Sequence, residues 1–477
     1  MAISDLLELG RQGMNANRSA METTSNNIAN ANSPGYSRQR PIMQSSEGRM
    51  EQGVRIGGGV ELSKVIRVHD QFVQNQLIQE STTLGTLRGS VDALKRVEAV
   101  VQRDGEQLDG VVNKFFNDFR ELSTNPETPS LRGVVRQSAE TLGHYFGVAN
   151  DSLNSMRTEL DVKLASTVTE INQLTSEISV LNGKIALAEA VNKIPNELYD
   201  RRDQALREVS GKIDLQVTVD GRNQVTLVTG GDVLVQGENS HQLSAERTEE
   251  RTDKAPGSLD VFVNSNTGKH RITHRMKEGE LAGIIKVRDQ VVNQSMKRLD
   301  SLATHLATEV NQIHNKGVGL DGLTNRNLFK EIAPGTSGAS GMLAITDDVK
   351  ANFESVATAY EVGVPGDNRV ALDIADIQNK IMFAAELSGQ GEPRETLSQS
   401  INSMVGHVGV ITQQDERLLD HAAAVVDQLE NYRQSTSGVN IEEESISLLQ
   451  YQTAFHAAVK TMKLGDELMD TILSLKK

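Results

Sequence analysis

Near one end of this 477-residue chain Leu7, Met14, Met21 and Ile28 recur every seven residues, and near the other Ile441, Leu448, Phe455, Met462 and Met469 do the same. A seven-residue apolar repeat keeps one stripe of a helix turned towards a partner helix, so each end needs a helical neighbour. The heptads leave open whether that neighbour is the opposite end of the same chain or another copy of it. Asn440 and Glu443 have the spacing of a capping box and set the start of the last helix. Glu442, Glu443 and Glu444 then lie at the positive end of its dipole.

The first helix is expected to stop near Asn30–Asn32, because Ser33-Pro34-Gly35-Tyr36 follows. Pro34 suits the second position of a type II turn and Gly35 supplies the positive φ required at the third. Extended, glycine-rich sequence then runs to Gly57-Gly58-Gly59. In the interior, Ile171, Ile178 and Ile185 form one seven-residue series and Leu174, Leu181 and Ala188 its companion. Leu397, Ile401, Met404, Val408, Ile411, Leu418, Ala422, Val425, Leu429 and Tyr432 keep alternating steps of three and four, with Asp415 interrupting. A third helical stretch is expected from about Leu281 to Ile313.

From about Gly211 to His274 the apolar period changes to two: Leu215-Val217-Val219, Val225-Leu227, Val233-Val235 and Leu259-Val261-Val263. Asp220-Gly221, Gly230-Gly231 and Asn266-Thr267-Gly268 punctuate these runs, as turns punctuate antiparallel strands. The polar stretch Glu246–Gly257 reads as an exposed loop. The expected fold is therefore mainly α with a β insert: long coiled-coil-like helices from both termini, a helical rod domain and a small antiparallel β domain. Its divisions are 1–60 with 435–477 as a terminal helical polymerisation domain, 61–210 with 276–434 as the rod, and 211–275 as the insert. The plan is nested, with the termini paired and the insert at the far end.

Composition narrows the function. With 64 Asp+Glu against 49 Lys+Arg and a net charge of -15, the chain is a poor partner for nucleic acid, whose affinity comes from basic groups neutralising phosphates. No cysteine is present, which removes disulfides, thiolate metal sites and cysteine nucleophiles. Aromatics make up only 3%, so the core must be aliphatic, which suits helix seams. No secretory signal is visible at the N-terminus and no apolar run is long enough to span a membrane. No P-loop, H-E-x-x-H or G-x-S-x-G motif occurs. His305, Glu309 and His314 share a helical stretch, but His314 falls on another face, so they read as a solvated or interhelical polar cluster rather than ligands. No catalytic, metal or cofactor residue is assigned, and the chain reads as a non-enzyme.

Two motifs at opposite ends carry a resemblance. Asn26-Asn27-Ile28-Ala29-Asn30, followed by Ser33-Pro34-Gly35-Tyr36-Ser37-Arg38-Gln39, resembles the N-terminal motif of the flagellar rod, hook and hook-associated proteins. The run Ser437-Gly438-Val439-Asn440, Glu442-Glu443, Leu448-Leu449-Gln450-Tyr451-Gln452, Ala454-Phe455 is similar to their C-terminal motif. Within that family, the Tyr36-Ser37-Arg38-Gln39 form of the turn, Leu198-Tyr199-Asp200-Arg201-Arg202-Asp203-Gln204 and Gly366-Asp367-Asn368 point to a hook-associated member. The resemblance implies a structural subunit at the hook–filament junction, exported by the flagellar type III apparatus without a cleaved signal and extracellular on the flagellum. It implies as partners the hook protein, a second junction protein, further copies of itself and an export chaperone on the C-terminal region. It implies that the terminal stripes named above form the assembly interface, and that Asn30, Ser33, Pro34, Gly35 and Tyr36 form the family's turn. The rival readings are a hook or distal-rod subunit, a secreted adhesin, or a hydrolase carried in the insert.

Overall fold

The computed structural model describes residues 2–51, 54–248, 258–265, 268–384 and 393–475. Helix α1 (Ala2–Ala29) is followed by strands β1 (Gln39–Ser45), β2 (Arg49–Glu51), β3 (Val54–Ile56) and β4 (Val60–Arg67). β1 pairs antiparallel with β4, and β2 with β3. Two very long helices follow, α2 (Gln71–Thr124) and α3 (Pro129–Ala190). At 1.5 Å per residue they extend about 80 Å and about 90 Å. Asp70 caps α2 by accepting from the amides of Phe72 and Val73, and Pro129 opens α3 where its missing N–H costs nothing. Helix α4 (Asn196–Lys212) leads into the β segment.

That segment folds as two small antiparallel sheets. Strands β5 (Gln216–Val219), β6 (Val225–Thr229), β7 (Asp232–Gln236) and β8 (Asn239–Ser240) form one in sequential order. In the other, β10 (Leu259–Ser265) lies between β9 (Gln242–Arg247) and β11 (Gly268–Arg271). Val225, Leu227, Val235, Val261 and Val263 are buried as the alternation predicts. Leu234 is buried as well, next to a register shift where β7 pairs with β6, and Val219 is exposed at the end of the edge strand β5. Most of the stretch read as a polar loop, 249–257, lies outside the described residues, while Glu246 and Arg247 pair in β9 with Asp260 and Leu259.

The predicted helix from Leu281 to Ile313 is α5 (Glu280–Lys286) and α6 (Asn293–His314), joined by a π-helical stretch, Val287–Val292. The wider π turn accompanies the buried Arg288, whose guanidinium bonds Asp161 of α3 at 2.6 Å and the Leu259 carbonyl of β10 at 2.8 Å. Short helices α7 (Ala339–Met342), α8 (Asp347–Ala351) and α9 (Arg369–Asp376) and the β12 (Phe383–Ala384)–β13 (Pro393–Glu395) pair precede α10 (Leu397–Ser437) and α11 (Ile441–Leu475). α10 packs along α2, burying Leu397, Ile401, Met404, Val408 and Ala422. Asp415 is buried in that stripe and accepts from Ser90 of α2 at 2.6 Å, whereas Leu418 and Tyr432 face out.

The β insert does not sit at the far end, as the nested plan expects. Asn172 and Asn182, in the last third of α3, bond the backbone of Leu243 and of Val225 and Gly237. Both roots of the insert are held on the first third of α2. A Cβ on Gly85 would lie 1.7 Å from the Gly211 carbonyl, and one on Gly89 would lie 2.6 Å from that of Glu280. Gly283 returns the contact, with a Cβ there 2.2 Å from the Thr86 carbonyl. The far end is instead closed by the loops of 315–368. There the buried Arg132 donates to the carbonyls of Pro126 and Val356 and to the Thr358 hydroxyl, and Asn368 donates to the Ser123 carbonyl.

Gly85→Ala is expected to force α2 off α4 and cost at least about 2 kcal/mol, since a helix backbone cannot yield as a side chain does. Urea unfolding checks it, and Gly133→Ala, where a Cβ meets nothing within 4 Å, serves as control.

Candidate assembly site: the terminal hairpin and the knot at its base

α1 and α11 lie antiparallel: Leu7 lies against Gly465, Gly10 against Ala458 and Met462, and Asn27 against Glu444. The buried positions of α1 are a row of small and short polar residues. Gly10, Ala16, Asn17, Ala20, Thr23, Thr24 and Asn27 are buried, and a Cβ on Gly10 would stand 3.2 Å from the Ala458 carbonyl. Small side chains let two helix backbones approach closely, as ridges would not. The heptad residues of α1, Leu7, Met14, Met21 and Ile28, are each half-buried, as are Leu448, Phe455 and Met462 on α11. Ile441 and Met469 are exposed.

α11 has a second apolar stripe that the heptad reading missed. Ile446, Leu449, Leu464, Leu468 and Ile472 are 43–63% exposed at helical spacing. Ile446, Leu449, Gln450, Thr453, Ala454 and Ala457 line an open groove of about 520 Å³. Steps of three and four from Ile446 could have revealed this stripe, but the more regular seven-residue series one position away concealed it.

At the base of the hairpin, motifs far apart in sequence meet. The Asn27 carboxamide is fully used: it donates to the Gln39 carbonyl and the Glu444 carboxylate, both at 2.8 Å, and accepts from the Gln39 amide and the Tyr36 hydroxyl, both at 2.9 Å. The turn after α1 is type II, with Tyr36 N bonded to Ser33 O at 3.2 Å and Gly35 at φ 78. Asn30 closes α1, its amide nitrogen bonding the Asn26 carbonyl, and Ser33 bonds back to Asn30 while Pro34 is exposed. Arg38 spans two carboxylates, Glu443 at 2.9 Å and the buried Glu444 at 2.6 Å. Asn440 caps α11 through the amides of Glu442 and Glu443, but Glu443 gives its side chain to Arg38 rather than to the return bond of a capping box.

α4 supplies the other half of the knot. Asp200 accepts from the Ser37 amide at 3.0 Å, and Arg67 at the end of β4 binds Asp200 at 3.1 Å and Asp203 at 2.6 Å. Arg67 and Arg202 lie over the Tyr199 ring at 4.9 and 5.2 Å. Burial first, then the carboxylates of Asp200, Glu197 and Glu444, push the Tyr36 phenol up to about 12. Burial and the adjacent Arg67 guanidinium hold His69 below the usual imidazole range.

The histidines weighed in the sequence serve other ends. His305 lies edge-on to Phe383, Glu309 pairs with Lys380, and the buried His314 bonds the Arg326 carbonyl and accepts from the Ala357 amide at 3.0 Å. Burial depresses His314 to about 4. No group of three metal-ligating side chains converges among the described residues. Among them, too, no helix is long and apolar enough to cross a membrane.

Two terminal helices closed on each other by the Asn27 and Arg38 motifs define a flagellar axial protein, and the comparisons with known sequences agree. A family described as "Flagellar hook-associated protein FlgK helical domain" matches residues 94–329. "Flagella basal body rod protein" matches 7–36, and "Flagellar basal body rod FlgEFG protein C-terminal" matches 431–475. The flagellar hook-associated protein 1 of Bacillus subtilis is 26% identical over 98% of this chain and 97% of its own length. That of Salmonella typhimurium is 25% identical over 99% and 100%. The solved flagellar hook junction protein FlgK of Burkholderia pseudomallei shares the fold, with a TM-score of 0.66, 16% identity and coverage of 76% of this chain and 100% of that one. Over nearly its whole length this chain is therefore similar to the flagellar hook-associated protein 1 family.

Tyr36 is stabilised in its neutral form, so its contribution is complete below about pH 10, the ordinary phenol value, and is lost as pH rises through about 12. Urea midpoints measured across that window should fall more steeply for wild type than for Tyr36→Phe. At neutral pH the substitution should cost about 1 kcal/mol, because Asn27 keeps its other partners.

Proposed function

We propose that this chain is a structural subunit of the junction between flagellar hook and filament, and that it assembles through its terminal hairpin into a helically arranged tube. The observation that carries the reading is the open apolar stripe of α11, from Ile446 to Ile472. α11 already has its partner in α1, so a second apolar face needs a further one. Contacts of one surface with a different surface of the next copy generate rings or helical tubes rather than closed dimers. In this reading the half-buried heptad residues hold the hairpin together, and the exposed Ile441 and Met469 join the open stripe in the assembly interface. The terminal hairpin is the polymerisation domain, the long helices are the rod, and the sheets between α4 and α5 are a separate insert.

The partners proposed with it are further copies of the chain, the hook protein on one side and a second junction protein on the other. An export chaperone on the C-terminal region would cover the open stripe before secretion by the flagellar export apparatus, leaving the protein extracellular. No catalytic role is proposed, because the buried ionisable groups are spent on internal bonds: Asp200 and Asp203 on Arg67, Glu444 on Arg38, and His314 on backbone.

Electron microscopy of cells lacking the gene, with flagellin assayed in the medium, tests the role. Complete hooks without filaments and flagellin lost to the medium are expected. Missing hooks would move the protein inward to hook or rod, and normal filaments would reject an axial role.

The two faces of α11 should also separate in vivo. Leu449→Glu with Leu464→Glu is expected to leave the thermal midpoint within a few degrees of wild type yet abolish incorporation into flagella. Leu448→Asp, on the half-buried seam, is expected to lower hairpin stability by about 2–3 kcal/mol. Normal incorporation of the double variant would remove the open stripe from the interface.

A further inference from the structure

The hairpin is joined to the rest of the molecule in a way that its own packing does not require. α11 packs on α1, and α1 packs further on β1 and β4. Together these four elements form an arm. The chain crosses between arm and body twice, at Val68–Asp70 between β4 and α2 and at Gly438–Asn440 between α10 and α11. An open cleft of about 480 Å³ lies between them, lined by Ser19, Thr23 and Asn26 of α1 on one side and Ile194, Pro195 and Leu198 on the other.

Few bonds span that gap, and one of them, from the Arg38 amide to the Ser437 carbonyl at 2.8 Å, lies next to the 438–440 crossing itself. Arg67 on the arm reaches two carboxylates one helical turn apart on α4, Asp200 and Asp203, and both are largely buried. Asp200 also accepts from the Ser37 amide, and Asn196 donates to the Val65 carbonyl at 3.0 Å. The arm's own integrity is secured elsewhere, by Asn27, Arg38, Glu443 and Glu444, none of which needs the body's side chains. What holds the arm folded and what holds it in position are therefore different residues.

We propose that Arg67, Asp200 and Asp203 form a latch that fixes one setting of a hinge at 68–70 and 438–440, about which the terminal hairpin turns as a rigid unit. Removing either side of the latch strands a buried charge, so the closed setting loses its advantage and the arm samples the cleft. The folded hairpin is unaffected, because its seam and the Asn27 bonds lie wholly within the arm.

The absence of cysteine makes the test direct, since pairs of engineered cysteines can be spin-labelled without background. Arg18→Cys with Gln79→Cys reports α1 against α2 in the full chain, and Arg18→Cys with Glu467→Cys reports α1 against α11. With Arg67 intact, both pairs should give one narrow distance distribution. In Arg67→Gln, and in the isosteric Asp203→Asn should the first variant fold poorly, the arm–body distribution is expected to widen about twofold while the arm-internal one keeps its width. An arm–body width unchanged by both substitutions would overturn the latch. So would equal widening of the arm-internal pair, since the residues would then be holding the hairpin's fold rather than its position.

Discussion

One carboxamide, that of Asn27, joins the two ends of a 477-residue chain. Its four hydrogen bonds tie the end of α1, the turn strand and the first turn of α11 into a single buried point. A buried amide is stable only when every donor and acceptor is met, and here the partners come from two segments, Tyr36 and Gln39 of the turn strand and Glu444 of α11. Arg38 adds charge to the same point, and Glu444 can be buried because Arg38 and Asn27 both serve it. The fold of the hairpin above the knot depends on this arrangement, while its position against the body is set by Arg67 on Asp200 and Asp203.

The division of labour on α11 follows from residue size. α1 offers Gly10 and Gly13 to Ala458 and Met462, so the seam closes there at backbone distance. The remaining aliphatic side chains of α11 stay in water in the single chain. Burying five of them would stabilise an assembly by about 1.5–3 kcal/mol each before the costs of association. A wide leucine seam of the coiled-coil kind would have consumed that surface inside the monomer.

The same close-approach device recurs within the body. Gly85 and Gly89 on α2 admit the end of α4 and the start of α5 at a spacing no side chain would allow. Both roots of the β insert are thereby pinned close to the base of the arm, while the loops around Arg132 close the other end. Insert, knot and hairpin thus share one end of a pair of helices about 80–90 Å long.

The sequence by itself determined the helices, the strands and the turn, because their signals are local. Apolar spacing, the Asn440 cap and the Pro34-Gly35 pair act over a few residues, and the structure realises each of them. The family motifs were equally legible, since they are contiguous. What only the tertiary structure decided is what each apolar face is for. A heptad in α11 fixes that a stripe exists but not that α1 will cover Leu448 and leave Leu449 in water, which depends on small residues more than 400 positions away. The position of the insert was likewise set by glycines whose role appears only when another backbone arrives against them. Nor could spacing show that the Asn27 turn, the Asp200–Asp203 helix and the Glu443–Glu444 start would form one knot, because hydrogen bonds between distant segments leave no periodic trace in the sequence.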